Sequence, residues 1–259
     1  MILTIDVGNT QILGGLWENN KIVLRFRRIT GTSTSSDELG LFLRSVIREN
    51  GFDPALVKSI ACCSVVPEIN HSLGSACLKY FEIEALFVQA GTKTGLKIKY
   101  PNPREIGADR IANAIGAIEL FPDKDIVIID MGTATTFDAI TYDKTYLGGS
   151  ITSGLTMSMQ ALAEKTSKLP TVEILATNQA CGTSTAQAIQ SGLYFGHIGL
   201  VKELINRFST ECFNGRKPLI IATGGFARMF EKEKLFDFVE VDLVLIGLKK
   251  AHELNKEIK

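Results

Sequence analysis

The sequence carries no excess of charge of either sign and no long apolar segment. Its 28 Lys and Arg residues balance 28 Asp and Glu residues over 259 positions. This balance does not favour nucleic acid or an anionic membrane as the main partner. No apolar run approaches the roughly 18–20 residues that span a bilayer, and the first residues do not resemble a signal peptide. We therefore expect a cytoplasmic protein that binds neither nucleic acid nor membranes.

Cysteine and histidine are also scarce, at five and three residues. The cysteines form no CxxC pair and their number is odd, so they support neither a disulfide framework nor a zinc site. Cys62 and Cys63 end an apolar run, and we expect both to be small core residues. The histidines His71, His197 and His252 are isolated in the sequence, and no metal-binding or catalytic role is expected for them.

An acid–glycine turn follows the first apolar run. Residues 2–5 (ILTI) predict a buried strand that leads into DVGNT at residues 6–10. Gly8 permits a tight turn, the amides and hydroxyls of such a turn bind phosphate oxygens, and Asp6 could hold the magnesium that accompanies a nucleotide. An ordinary turn at a strand end has the same local sequence, so this motif alone leaves both interpretations open.

The same pattern recurs about half a chain later. Apolar residues 126–129 lead into DMGTATTFD at residues 130–138, and both copies continue into a second apolar segment. A third turn, TGG at residues 223–225, follows the apolar run 218–222 and would suit a flat adenine or a ribose. The repetition predicts two related halves whose turns face a shared cleft, where small-molecule sites usually form.

The segment PNPREIGADR at residues 101–110 leads into a predicted helix. Its prolines and glycine indicate an irregular approach to that helix, with Asp109 and Arg110 near the helix start. An acid is favoured at a helix N-terminus by the dipole alone. An acid and a base presented together at a cleft is the alternative interpretation, and the local sequence does not decide between them.

The order of predicted elements is three strands, a helix, a strand and a helix, and it occurs twice. This order predicts an α/β fold with a mixed sheet in each half. Asp37 is the expected N-cap of the first helix. Helices are also expected over residues 155–165 and 185–210, and residues 92–100 are expected to form a strand or an extended loop. The longer helix contains Gly192, Gly196 and Gly199, whose spacing allows close packing of helices or of subunits, and we interpret them as helix-packing sites.

These motifs together carry a family resemblance. The two acid–glycine turns and the late TGG turn resemble the superfamily of acetate and sugar kinases, actin and chaperone ATPases. Within it, DVGNT, PNPxExGADR, DxGTATT and Gly182-x-x-Thr185 resemble type III pantothenate kinases, in order and over essentially the whole chain. The resemblance implies a duplicated actin-like ATPase fold, with ribonuclease H-like domains at 1–118 and 119–259, each built on a five-stranded mixed sheet.

The resemblance also implies an activity and a set of site residues. The reaction would be ATP-dependent phosphorylation of pantothenate to 4′-phosphopantothenate, the first step of coenzyme A biosynthesis, with Mg²⁺ and a monovalent cation (K⁺ or NH₄⁺). Asp109 would be the general base, Asp6 would position magnesium, and Asp130 would bind the monovalent cation. The implied ATP-binding residues are Asp6, Val7, Gly8, Asn9, Thr10, Gln11, Ile12, Leu13 and Thr133. The implied substrate-binding residues are Tyr100, Gly107, Ala108, Asp109, Arg110 and Thr185, with Thr185 contributed across the interface of a homodimer.

Two departures and two alternatives accompany this resemblance. The family usually has a proline where Ser153 stands before Gly154, so we expect a less rigid turn there, and residues 242–247 fit the family only loosely. One alternative function is a catalytically silent family member that acts as an accessory regulator of transcription. The other is a kinase for a different small alcohol, such as a sugar.

Overall fold

The computed structural model describes residues 1–256, and these form two compact units. Unit 1 comprises Met1–Leu96, Pro101–Leu120 and the C-terminal segment from Asp242, and unit 2 comprises Lys97–Tyr100 and Phe121–Val241. None of the helices in this part of the chain has both the length and the apolarity that crossing a bilayer requires.

Unit 1 is built on a five-stranded mixed sheet. Its elements are β1 (Ile2–Val7), β2 (Gln11–Glu18), β3 (Lys21–Ile29), α1 (Ser36–Glu49), β4 (Ser59–Ser64), α2 (Pro67–Phe81), β5 (Leu86–Phe87) and α3 (Ala108–Leu120). Strands β1 to β3 form an antiparallel meander, while β4 lies parallel to β1 and β5 parallel to β4, which gives the order β3-β2-β1-β4-β5. The core packs the apolar face of this sheet against α1 and α2.

The N-cap of helix α1 lies two residues earlier than predicted. Ser35, not Asp37, is its N-cap, because the Glu38 amide donates to Ser35 Oγ and the Ser35 amide donates to the Glu38 carboxylate. This reciprocal pair is a capping box. Asp37 lies in the first turn instead, where its carboxylate accepts hydrogen bonds from Lys79 and Tyr80.

Unit 2 is built on a six-stranded sheet. Its elements are β6 (Lys97–Ile98), β7 (Ile126–Met131), β8 (Ala134–Ile140), β9 (Thr145–Ser153), α4 (Leu155–Lys165), α5 (Thr185–Phe213), β10 (Leu219–Thr223) and β11 (Phe238–Val239). The order is β11-β10-β7-β8-β9-β6. The predicted count of five was wrong for this sheet, because β6 adds a parallel edge to β9 through the Lys97 and Lys99 amides.

The two sheets repeat one topology. Strands β7, β8 and β9 form an antiparallel meander like β1, β2 and β3, and β10 lies parallel to β7 as β4 does to β1. Asp6 and Asp130 are each the last residue but one of the first strand of the meander in their unit. The predicted duplicated α/β fold is therefore confirmed.

The C-terminal helix, α6 (Leu243–Asn255), belongs to unit 1. The predicted domain division instead placed this helix in the C-terminal domain, residues 119–259. Of that range, residues 257–259 lie outside the part of the chain that the structure describes. Helix α6 packs closely along α3: a Cβ at Gly247 would lie 1.7 Å from the Ala112 carbonyl oxygen, and one at Gly116 would lie 2.4 Å from the Leu243 carbonyl oxygen. The absence of side chains at these two positions lets the helix backbones meet.

The glycines of α5 do not pack against another helix of the described chain, which was the role predicted for them. A Cβ at Gly192, Gly196 or Gly199 would meet no other atom of the described chain within 4 Å. All three positions are exposed. Close helix packing within the chain therefore does not explain them, and α5 presents an open face of small residues.

Candidate active site

The first acid–glycine turn joins β1 to β2 as a tight hairpin. The Gly8 amide donates to the Gln11 carbonyl oxygen at 3.1 Å. Thr30, the residue directly after β3, stabilises this turn: its amide donates to the Thr10 carbonyl oxygen at 3.0 Å and its hydroxyl to the Gly8 carbonyl oxygen at 2.7 Å. Asn9 and Thr10 lie exposed at the tip. Thr30 was missed in the sequence because it lies 20 positions from the turn that it holds.

The predicted ATP-binding stretch is divided between the surface and the core. Val7 and Ile12 pair across the hairpin with side chains that are 0% and 2% exposed. Their side chains are therefore part of the core of unit 1, and only their backbone atoms could meet a ligand. The side chains of this turn that a ligand could contact are those of the exposed tip and the half-buried Asp6 carboxylate.

Asp6 has an unexpected neighbour in Cys63. The two residues are partners in the parallel pairing of β1 with β4, and the Cys63 thiol donates to Asp6 Oδ1 at an Sγ–O distance of 3.2 Å. Burial and the negative charges of Asp6 and Asp109 raise the pKa of the Cys63 thiol well above its usual range. The sequence showed Cys63 only as a core residue, because its pairing with Asp6 is made over 57 positions.

Asp109 lies in the first turn of α3, two residues after Gly107. A Cβ at Gly107 would lie 2.4 Å from Asp109 Oδ1, so a side chain there would require the carboxylate to move from this position. The Arg110 amide donates to the same oxygen at 2.8 Å. Burial raises the pKa of the Asp109 carboxyl, and the Arg110 hydrogen bond and charge oppose this rise.

Two opposing effects act on the pKa of the Asp109 carboxyl. Arg110 does favour the charged form, but removal of the Asp109 carboxyl from water has the larger effect. The result is a more basic carboxylate, and a general base works better when its pKa is closer to the working pH.

The second acid–glycine turn joins β7 to β8. The Gly132 amide donates to the Ala134 carbonyl oxygen at 3.0 Å, and the Gly154 amide donates to the Thr133 carbonyl oxygen at 3.1 Å. A Cβ at Gly154 would lie 2.4 Å from the carbonyl oxygens of both Gly132 and Thr133. The backbone at the start of α4 thus packs directly against this turn. Ser153, where the family has proline, is held in the β8–β9 ladder opposite Ala134.

The third glycine turn lies directly against the second. Gly224 follows β10 with φ +88°, and a Cβ there would lie 2.4 Å from Asp130 Oδ1 and 2.7 Å from the Met131 amide nitrogen. The Phe226 amide donates to the Met131 carbonyl oxygen at 3.1 Å. Asp130, Thr133 and the TGG turn are therefore brought together within unit 2.

The predicted substrate residues are divided between the two units. Gly107, Ala108, Asp109 and Arg110 belong to unit 1, while Tyr100 and Thr185 belong to unit 2. The Tyr100 ring lies against Gly148, where φ is +132° and a Cβ would be 3.5 Å from the ring. A side chain at position 148 would therefore strain the backbone, while its Cβ would make an ordinary contact with the tyrosine ring.

Thr185 is the first residue of α5 and is exposed. Ser184 caps the helix by accepting a hydrogen bond from the Gln187 amide, and Gly182 lies against the first turn, where a Cβ would be 2.5 Å from the Ala188 nitrogen. Thr185 lines a groove of about 490 Å³ between α4 and α5, together with Ser153, Ser158, Leu162, Gly192, Gly196, His197 and other residues of these elements.

His197 connects α5 to the strand that follows the second turn. Its Nε2 lies 3.2 Å from the Thr135 hydroxyl, and both side chains are buried. Burial lowers the pKa of His197, which favours the neutral ring. This contact could not be predicted from the sequence, because the two residues are 62 positions apart.

The oxygen ligands of the two turns fit the expected cations. Within residues 1–256 no three His, Cys, Asp or Glu side chains form a cluster that could hold a metal. Mg²⁺ that accompanies a nucleotide is bound through one or two carboxylates together with phosphate oxygens and water. The single Asp6 carboxylate beside the Gly8 turn fits that arrangement, and Asp130 offers a carboxylate beside main-chain atoms for a monovalent cation.

The chain is similar to proteins of one named family. The profile of the family described as type III pantothenate kinase matches residues 2–207. A type III pantothenate kinase from Legionella pneumophila (strain Corby) is 55% identical over 255 residues, which cover 98% of this chain and 99% of that protein. One from Elusimicrobium minutum (strain Pei191) is 45% identical over 258 residues and the full length of both.

Solved structures share the fold at low sequence identity. A protein from Campylobacter jejuni, provisionally described as a Baf family transcriptional activator, has a TM-score of 0.61 at 20% identity, with 98% and 99% of the two chains covered. The activator of 2-hydroxyisocaproyl-CoA dehydratase from Clostridium difficile, solved with bound ADPNP, has a TM-score of 0.54 at 15% identity, with 100% and 98% covered. At these identities the likeness concerns the fold alone.

Proposed function

Because the chain belongs to the type III pantothenate kinase family, we propose that it transfers the γ-phosphoryl group of ATP to pantothenate, forming 4′-phosphopantothenate and ADP. This is the first step of coenzyme A biosynthesis. The observation that carries the proposal is 55% identity over nearly the full length of a relative with that name. Since the reaction consumes ATP, we place it in the cytoplasm.

Asp109 is the proposed general base. Its carboxylate accepts the proton of the pantothenate primary hydroxyl as the hydroxyl oxygen attacks the γ-phosphorus and the bond to the ADP oxygen breaks. Burial, which raises the pKa of Asp109, supports this role because it makes the carboxylate a better proton acceptor. Its position beside Gly107 and the Arg110 amide fixes its orientation, as in-line phosphoryl transfer requires.

The acid–glycine turns are the proposed nucleotide residues. Residues 6–13 would contact the phosphates, mainly through the exposed hairpin tip, and Thr133 would contact ATP from the second turn. Mg²⁺, held in part by Asp6, supplies neutralisation of phosphate charge when bound. Asp130 would hold K⁺ or NH₄⁺, and the close contact of Gly224 with its carboxylate supports a fixed orientation there.

Tyr100, Gly107, Ala108, Arg110 and Thr185 are the proposed pantothenate residues. The guanidinium of Arg110 is suited to a carboxylate or to phosphoryl charge. We further propose a homodimer in which Thr185 serves the substrate of the partner subunit. The exposed small residues on α5 and the groove that they line beside Thr185 support this part of the proposal, since a second copy could approach this face closely.

A substrate panel tests the proposal. ADP release is measured with Mg²⁺, K⁺ and ATP in the presence of pantothenate, a hexose or no acceptor, and the phosphorylated product is identified by mass spectrometry. We expect release that depends on pantothenate. A preference for the hexose would indicate a kinase for another small alcohol, and an absence of any acceptor-dependent release would favour the silent regulator.

A further inference from the structure

We propose that Cys63 is a positioning residue, whose thiol fixes the rotation of the Asp6 carboxylate that meets the nucleotide-bound magnesium. The proposal rests on the proposed function in one respect, namely that Asp6 serves the magnesium. Its direct basis is the hydrogen bond from the Cys63 thiol to Asp6 Oδ1, with 3.2 Å between Sγ and the oxygen.

Strand pairing holds the two side chains in this relation. Asp6 and Cys63 are partners in the parallel ladder of β1 and β4, so they stand on the same face of the sheet. Cys63 is fully buried, which leaves its thiol few alternative orientations. A carboxylate that binds a cation in one geometry has to be held in one rotation about its last bond, and the Cys63 thiol is one donor that holds it there.

The neighbouring cysteine provides a matched control. Cys62 is equally buried and lies in the same strand, but successive side chains of a strand point to opposite faces. Its thiol interacts with Cys77 of α2 rather than with Asp6. A change at Cys62 therefore perturbs β4 without removing a hydrogen bond from the acid–glycine turn.

The test measures how strongly magnesium supports nucleotide binding. Calorimetry with adenylyl imidodiphosphate, with Mg²⁺ or with EDTA, gives a readout that needs no turnover. Cys63→Ala should weaken binding with Mg²⁺ by about threefold to tenfold, the usual effect of losing one ordinary hydrogen bond, because a thiol is only a weak donor. Binding in EDTA and the KM for pantothenate should change by less than about twofold, since neither involves the magnesium ligand in this proposal.

Three further variants complete the design. Cys63→Ser keeps a donor and should bind the nucleotide with Mg²⁺ as the wild type does. Cys63→Val fills the space of the thiol without a donor and should show the loss expected of Cys63→Ala. The valine variant therefore tests the proposal even if the alanine variant folds poorly. Cys62→Ala should keep the wild-type magnesium effect. The proposal is overturned if Cys63→Val binds as the wild type does, if Cys63→Ser matches Cys63→Ala, or if Cys62→Ala shows the same loss. Failure of the proposed kinase function would instead appear as wild-type protein without pantothenate-dependent ADP release.

Discussion

Asp109 shows how one residue combines a catalytic position with a cost in stability. Burial disfavours its charged form, and the Arg110 amide and guanidinium recover part of that loss. The absence of a side chain at Gly107 makes room for the carboxylate. The order Gly107, Asp109 and Arg110 is visible in the sequence, but the degree of burial is not, because it depends on elements that pack around α3 from elsewhere in unit 1.

Replacement of Asp109 by asparagine should remove activity while keeping the fold. Asparagine has nearly the same shape and still accepts the Arg110 hydrogen bond, but it does not take up the substrate proton. We expect kcat for pantothenate phosphorylation to fall by about 10²–10⁴-fold. Steady-state kinetics measures this, with Asp37→Asn as the control, since Asp37 is an exposed acid in the first turn of α1. Near-normal turnover by folded Asp109→Asn protein would falsify the role of general base.

The same variant should be more stable than the wild type at neutral pH. The folded-state pKa of Asp109 is raised, so the folded protein binds a proton more tightly than the unfolded chain. The unfolding free energy of the wild type therefore falls as pH rises from the unfolded pKa through the folded pKa. Asparagine does not titrate, so the unfolding free energy of Asp109→Asn does not fall for this reason.

Thermal denaturation over a pH series measures this difference. Asp109→Asn should have the higher Tm at pH 7, and the gap should shrink as the pH falls below the ordinary carboxyl range. A gap that grows towards acid pH, or a lower Tm at pH 7, would contradict the inferred effect of burial. The same series with Asp37→Asn shows whether removal of any acid from a helix start has this effect.

At the scale of elements, the turn after β10 depends on one glycine and not on its neighbour. Gly224 has φ +88° and no room for a Cβ beside Asp130, whereas a Cβ at Gly225 would meet no atom within 4 Å. Gly224→Ala should lower the unfolding free energy by about 1–3 kcal/mol and weaken nucleotide binding, because the turn must move off Asp130. Gly225→Ala should do neither.

Denaturant unfolding and calorimetry with the ATP analogue measure these two effects for both variants. Equal behaviour of the two alanine variants would contradict the structural difference between these positions. A Gly224→Ala protein that loses stability but binds nucleotide as before would show that this turn does not contribute to the ATP site.

Local pattern predicted the elements well where the deciding signals are local. Helix α4 was expected over residues 155–165 and has these bounds, since apolar spacing and Gly154 mark its start. The N-cap of α1 is Ser35 rather than the predicted Asp37, because the capping box depends on the side-chain contact between Ser35 and Glu38. The edge strand β6 was left open as a strand or extended loop, because two residues give almost no periodicity.

At the scale of the whole molecule, non-local packing limited what the sequence predicts. The duplication of the fold could be predicted, because the acid–glycine turn after an apolar strand occurs in each half of the chain. The place of α6 in unit 1 was not, since it depends on contact between Gly247 and α3 across more than a hundred positions. The contacts of Cys63 with Asp6 and of His197 with Thr135 escaped prediction for the same reason.

The proposed dimer makes a prediction about pairs of inactive subunits. Thr185 begins α5 and is exposed beside the groove, so Thr185→Glu should leave the fold intact while it adds a charge that opposes the pantothenate carboxylate. Glutamate is also tolerated at a helix N-terminus. Thr185→Glu and Asp109→Asn should each be nearly inactive alone.

Mixing the two variants distinguishes action across an interface from action within one chain. If Thr185 serves the substrate of the partner subunit, each mixed dimer regains one intact site, with Asp109 from one subunit and Thr185 from the other. Random exchange then restores about a quarter of the wild-type activity, since half the dimers are mixed and one of their two sites is complete. The assay measures pantothenate-dependent ADP release after the subunits are co-expressed or exchanged, with sedimentation to verify the dimer. If Thr185 acts within its own chain, every site in the mixture carries one defect, and no activity returns.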